Sequence, residues 1–383
     1  MNIKEFVLDP TICSLPWVGV YVQPDGLVKN CAISRDLLGN IHNNTLEECL
    51  HGQKNQQVKQ DMLNGIRHSR CNNCYKVEDL SSNKIKNASN RSWYKKYGVK
   101  NVDLKIYNSP TNFELRVLDL RWRNTCNQAC VYCGPDLSSR WAQDLNDHRY
   151  VIDDAALVQT KQYIFQRLDK LTHIYLAGGE PLLIKENKEL LERLLTANPD
   201  VEIRVNSNLS VVDTDVFKLL AKFKNVKWTI SVDAVQDQYE YIRWPGKWNQ
   251  FKDNLIFLNS QNSNINFNMV WCALNATGIF DCIDFLNSVG FQENMYMIQC
   301  LDSPAPLDVR NLPKDQIAAL KELIHTRLKT ADPSLWFAKC LTSMLNFLDQ
   351  DSKSTTAGLK EFLQTLDQRR NLDSKKLFPH VYQ

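Results

Sequence analysis

Between residues 111 and 302 short apolar runs alternate with longer amphipathic stretches. The runs Glu114–Leu120, His173–Leu176, Glu202–Val205, Lys227–Val232, Asn266–Trp271 and Met295–Gln299 have the length of strands. Between them, Lys188–Leu195 and Phe280–Ser288 repeat apolar residues at helical spacing. Alternation of this kind predicts βαβ units and a parallel sheet, hence an α/β fold. Six such units fit a partial, TIM-like (β/α)6 barrel better than a closed eight-fold one. Residues 313–372 read as helices packed on the outside. The first 80 residues follow another pattern. The runs Trp17–Val22 and Leu27–Asn30 flank Pro24-Asp25-Gly26, a turn suited to a hairpin, and a helix is expected over Thr45–Leu63.

These patterns divide the chain into a Cys-rich module (1–80), a connection (81–110), the barrel (111–302) and a C-terminal helical extension (303–383). The connection carries Lys84, Lys86, Arg91, Lys95, Lys96 and Lys100 among Trp93, Tyr94 and Tyr97. Such a mixture can bind nucleic acid or a peptide, but a cluster this small reads first as a solvated helix face.

Composition narrows the class. The 383 residues include 46 basic and 43 acidic ones, and the net charge of +3 gives no reason to expect nucleic acid or an anionic membrane as a partner. No run of 18 apolar residues suggests a membrane span, and the N-terminal stretch lacks the apolar core of a secretory signal, so the expected compartment is the cytoplasm. Twelve cysteines are many for such a protein, and their clustering points to metal or redox chemistry rather than disulfides.

One cluster follows the first barrel strand: Asn124-Thr-Cys126-Asn-Gln-Ala-Cys130-Val-Tyr-Cys133-Gly-Pro. Three thiolates on a short loop can hold one face of a [4Fe–4S] cubane and leave the fourth iron open, as a catalytic centre requires. Zinc also suits soft thiolates and remains open on spacing alone.

The spacing Cys-x3-Cys-x2-Cys resembles that of the radical S-adenosylmethionine superfamily, and further motifs follow in that family's order. Gly178-Gly179-Glu180-Pro181 looks like its Gly-Gly-Glu motif, which implies that Glu180 binds the methionine amino group. Asn206-Ser207-Asn208 resembles the ribose-contacting segment. Ser231-Val232-Asp233 with Arg243 resembles its Ser-x-Asp and downstream Arg, which implies that Arg243 meets the methionine carboxylate. Tyr132 stands where the family places an aromatic residue beside the adenine. Each motif falls at the C-terminal end of a predicted strand, the rim on which barrels of this kind build active sites. The resemblance implies S-adenosyl-L-methionine as cosubstrate, a one-electron reductant such as flavodoxin or ferredoxin, and radical hydrogen abstraction.

A second set comprises Cys13, Cys31, Cys71 and Cys74. With Cys13-Ser-Leu-Pro-Trp17, Gly26 and Leu37-Leu-Gly-Asn-Ile41, it resembles the twitch module, the shortened SPASM form. That resemblance implies an auxiliary [4Fe–4S] cluster with four cysteine ligands, here ahead of the barrel rather than behind it. A four-cysteine zinc site and disulfides remain alternatives. Cys49, Cys272, Cys282 and Cys340 read as small buried hydrophobes, and Cys300 as a core residue close to the presumed mouth. Family members with such modules oxidise peptides, proteins or small molecules, so a peptide or protein substrate is expected. The rivals are a nucleotide or RNA substrate and a non-catalytic electron-transfer protein.

Overall fold

The computed structural model describes residues 3–34, 37–80, 91, 94, 95, 98, 103–147, 149 and 151–382. The fold is α/β with mostly parallel strands. The chain forms two compact units: Met1–Thr125, His148–Val205 and Asp213–Val226 in the first, Cys126–Asp147, Asn206–Val212 and Lys227–Gln383 in the second.

In the first unit a hairpin of β1 (Gly19–Val22) and β2 (Leu27–Lys29), joined to the short β3 (Gly39–Asn40), leads into β4 (Val117–Leu120), β5 (His173–Leu176) and β6 (Glu202–Ser207). β1 pairs antiparallel with β2 but parallel with β4, and β4, β5 and β6 continue in parallel. The Cys-rich segment therefore shares a sheet with β4, β5 and β6. Pairing between strands a hundred residues apart leaves no local trace in the sequence. Gly26 turns the hairpin with φ +82°, where a Cβ would come within 2.7 Å of the Asn40 side chain.

Two local expectations change. Trp17 and Val18 belong to a helical turn, Leu15–Val18, with Pro16 in its first turn. The helix expected over Thr45–Leu63 is two helices, Leu46–His51 and Gln53–Leu63, broken at the extended Gly52. The first opens with a capping box: Thr45 Oγ1 accepts from Glu48 N at 3.1 Å, and Glu48 Oε2 accepts from Thr45 N at 2.8 Å.

One face of this sheet is apolar: Val20, Leu118, Ile174 and Ile203 stand level, all buried. The other carries a row in register, Lys29, Tyr21, Asp119, Tyr175 and Arg204, one from each of five strands. Parallel strands covered on both faces are usually apolar on both. Here Arg121 approaches Asp119 at 3.4 Å and lies 4.9 Å from the Tyr21 ring. Burial outweighs Arg121 and pushes the Asp119 carboxyl up to about 6.

The second unit contains β7 (Val226–Ser231), β8 (Asn264–Trp271) and β9 (Tyr296–Cys300), parallel and in register. The helices Gln236–Ile242 and Trp248–Ser260 precede β8, and Gly278–Ser288 precedes β9. The extension supplies Lys314–Thr330, Trp336–Leu348 and Thr356–Arg370. No helix among the described residues is long and apolar enough to cross a membrane.

Candidate functional site

In the first unit the four N-terminal cysteines line one cavity of about 30 Å³, together with Arg91 and Tyr94. Cys13 precedes the turn Leu15–Val18, Cys31 follows β2, and Cys71 and Cys74 lie at the junction of a 3₁₀ turn with the helix Asn72–Leu80. Burial pushes the thiol of Cys13 up to about 11 and that of Cys31 up to about 12, and it also raises Cys71 and Cys74; Cys71 is raised further by each of the other three. Backbone N–H groups of Leu15, of Ile33 and Ser34, and of Arg91 oppose this at Cys13, Cys31 and Cys74 respectively. Such donors suit sulfurs that bind as thiolates.

All twelve cysteines are free, so disulfides are absent. Among the described residues no group of three or more His, Cys, Asp or Glu side chains is arranged to hold a single metal ion. A zinc ion, with Zn–S bonds of about 2.3 Å, would draw its thiolates to within about 3.8 Å of one another. Four thiols lining one cavity supply the all-cysteine set that an iron–sulfur cluster takes.

The connection behaves differently from a solvated basic face at the two residues that can be checked. Arg91 and Lys95 are buried. Arg91 donates to the Ile12 carbonyl at 2.8 Å and pairs with Glu78, and Lys95 donates to the carbonyls of Val7 and Asp9. Lys84, Lys86, Trp93, Lys96, Tyr97 and Lys100 lie outside the described residues.

The Gly-Gly-Glu turn follows β5. Gly178 and Gly179 have φ +77° and +34°, and the Glu180 amide donates to the Thr125 carbonyl at 2.7 Å. The turn is thereby tied to the residue that precedes Cys126. The Glu180 side chain is buried, and one carboxylate oxygen accepts from Leu182 N at 3.1 Å.

In the second unit, two backbone bonds fasten the cysteine loop to the segment after Gln236–Ile242: Ala129 N to Trp244 O at 2.6 Å and Val131 N to Ile242 O at 2.8 Å. Arg243 and Asp233 form a buried pair at 2.8 Å, and Arg243 Nη1 reaches to 3.9 Å from Cys130 Sγ. Asp233 also accepts from the Tyr132 hydroxyl at 2.5 Å and from Val270 N at 2.7 Å. Asn208 Nδ2 lies 3.9 Å from Cys126 Sγ and bonds Asn127 at 3.2 Å. Ser231 Oγ stands 3.5 Å from Asn206 Oδ1, and Ser207 Oγ accepts from Leu209 N. Cation and amide donors directed at thiol sulfurs are what an anionic, thiolate-held cluster requires, and the residues fit that group.

Burial pushes the thiol of Cys133 up to about 12, and it also raises Cys130, where Arg243 and then Arg370 oppose it. Cys49, Cys272, Cys282 and Cys340 are buried. Burial raises the thiol of the half-buried Cys300 to about 12, the reverse of an activated nucleophile.

An open cavity of about 540 Å³ adjoins Cys133, with one wall formed by the helix Thr356–Arg370. Neither the place of this helix beside Cys133 nor the polar row across the first sheet is evident from the sequence.

Residues 122–273 match the family described as the Radical SAM superfamily, and residues 13–75 match SPASM, described as an iron–sulfur cluster-binding domain. These two matches support a [4Fe–4S] cluster, S-adenosyl-L-methionine and an auxiliary cluster as the cofactors. No match was found among curated proteins. Similar solved structures include anSMEcpe with bound AdoMet and a Cp18Cys peptide, 15% identical with TM-score 0.41 over 56% of this chain and 60% of that one. This chain therefore spans about three-fifths of that protein. Streptococcus suis SuiB bound to the precursor peptide SuiA is 13% identical, with TM-score 0.38 over 83% of this chain and 70% of that one. TYW1 with a lysine–pyruvate adduct is 16% identical, with TM-score 0.31 over 55% and 70%.

Proposed function

We propose that this chain is a radical S-adenosylmethionine enzyme, of oxidoreductase type, that oxidatively modifies a peptide or protein. One observation carries the reading: the two cysteine sets differ in number and setting. Three thiols on a loop leave one iron of a cubane open, whereas four round a cavity leave none. When bound by Cys126, Cys130 and Cys133, a reduced cluster would supply the electron that cleaves S-adenosylmethionine for hydrogen abstraction, and one bound by Cys13, Cys31, Cys71 and Cys74 would supply an electron acceptor.

The chain's own residues bind and orient. Cys126, Cys130 and Cys133 hold the catalytic cluster, and Cys13, Cys31, Cys71 and Cys74 the auxiliary one. Glu180 takes the methionine amino group, with Gly178 and Gly179 allowing close backbone approach. Asp233 holds Arg243 where its guanidinium can meet both Cys130 and the methionine carboxylate. Asn206, Ser207, Asn208 and Ser231 serve the ribose, and the Tyr132 ring serves the adenine. The partial barrel and the N-terminal twitch module belong to the same reading. A peptide substrate is supported by the cavity beside Cys133, whose apolar lining of Pro135, Trp141, Phe362 and Leu366 meets charged Glu361 and Arg369. A cytoplasmic flavodoxin or ferredoxin would deliver the electron.

The test is anaerobic reconstitution with iron and sulfide, followed by dithionite and S-adenosylmethionine. Wild type should release 5′-deoxyadenosine detectable by mass spectrometry, and Cys130→Ala should release none. Equal release from both proteins would sink the assignment.

A further inference from the structure

Arg370 ends the helix Thr356–Arg370, beyond the segments that match either family. It is 7% exposed. Its guanidinium lies 4.3 Å from the Trp141 ring and 4.8 Å from the Trp244 ring. Both tryptophans bond the backbone of the cysteine loop: Trp141 Nε1 donates to the Cys130 carbonyl at 2.7 Å, and the Trp244 carbonyl accepts from Ala129 N at 2.6 Å. One side chain from the extension thus touches the rings of two tryptophans, one bonded to the loop through its indole N–H and the other through its main-chain carbonyl.

The charge of Arg370 calls for its own explanation. None of its three guanidinium nitrogens has a hydrogen-bond partner among the described residues, and Asp144 stands 3.4 Å away. A buried cation is unfavourable unless something compensates it, and the indole faces and one carboxylate do so only in part. The nearby three-cysteine loop supplies the remainder when loaded, because three thiolates give the site net negative charge. Arg243 is already matched by Asp233, which leaves Arg370, separated from the Cys130 carbonyl by the Trp141 indole, as a second cation beside the same loop.

We propose that Arg370 is a positioning residue of the catalytic cluster, clamping the cysteine loop through Trp141 and Trp244 and stabilising the reduced cluster by its charge. This rests on the reading of Cys126, Cys130 and Cys133 as cluster ligands. It makes the C-terminal extension part of the redox site.

The test is a potentiometric titration of the EPR signal that responds to S-adenosylmethionine, in reconstituted full-length wild type, Arg370→Gln and Arg370→Lys. Arg370→Gln should lower the fraction of cluster reduced at a given potential about tenfold, equivalent to about 59 mV for one electron. Arg370→Lys should return to within about twofold of wild type, because charge survives. If Arg370→Gln fails to fold by circular dichroism, Asp144→Asn carries the test and should shift the potential the other way. Unchanged titration in the glutamine and Asp144→Asn variants would overturn the proposal, as would a lysine variant that titrates with the glutamine one. Absence of any responsive signal in wild type would instead remove the ligand assignment beneath it.

Discussion

Gly179 leaves no room for a side chain against Thr125: a Cβ on it would lie 2.2 Å from the Thr125 carbonyl oxygen. Its φ of +34° disfavours other residues as well. Gly179→Ala should therefore push the Gly-Gly-Glu turn away from the residue preceding Cys126. We expect a loss of about 1–3 kcal/mol in stability and at least tenfold weaker S-adenosylmethionine binding. Urea denaturation and calorimetry check both, and wild-type values in each would refute the tie.

The two cysteine sets should separate on mutation. Cys130→Ala should lose about half of the reconstituted iron and all 5′-deoxyadenosine formation. Cys74→Ala should lose a similar share of iron but keep uncoupled cleavage. Iron analysis beside product detection distinguishes them, and a Cys74→Ala protein without cleavage would give the N-terminal set a structural role.

Arg91 ties the N-terminal set together: its side chain pairs with Glu78 and bonds the Ile12 and Asp9 carbonyls, while its amide donates to Cys74. Arg91→Met removes the ion pair between the buried Arg91 and the half-buried Glu78, a change expected to cost about 3 kcal/mol. The melting temperature should fall steeply and auxiliary iron should be lost before catalytic iron. Retention of both would show that Glu78 finds another partner.

Lys59 is buried, donates to the Asn112 carbonyl at 2.6 Å, and is held down to about 8 by loss of solvent. Its folded value lies below its unfolded one, so between about pH 8 and 10.5 the unfolded chain binds more protons and stability rises with pH. Below pH 8 the full burial penalty applies. Lys59→Met should flatten this rise by about 1–3 kcal/mol across the window, read as the difference between wild-type and variant urea midpoints. Parallel pH curves would contradict it.

Much of the cysteine loop is legible in sequence, because Cys126, Cys130 and Cys133 are neighbours along the chain and Gly178-Gly179-Glu180 announces its turn. The strand His173–Leu176 occurs as expected, since a short apolar run between polar boundaries has few alternatives. Trp17 and Val18 form a helical turn rather than the start of a strand because Pro16 favours the first turn of a helix as readily as it precedes a strand. The row Tyr21, Asp119, Tyr175 and Arg204 gives no signal, since its members come from four separate strands and only register brings them level. Arg370 is hidden for the same reason: nothing along the chain tells that a C-terminal arginine meets Trp141 and Trp244.

Because β1 lies beside β4, the hairpin that carries Cys31 also shields the backbone of Val117–Leu120. Without residues 1–80, β4 would become a bare apolar edge, the kind of surface on which chains pair with one another and precipitate. The segment would then serve the chain in two ways, as the source of the four N-terminal thiols and as the cover of a strand edge, and replacing the cysteines with serine should leave the second role in place.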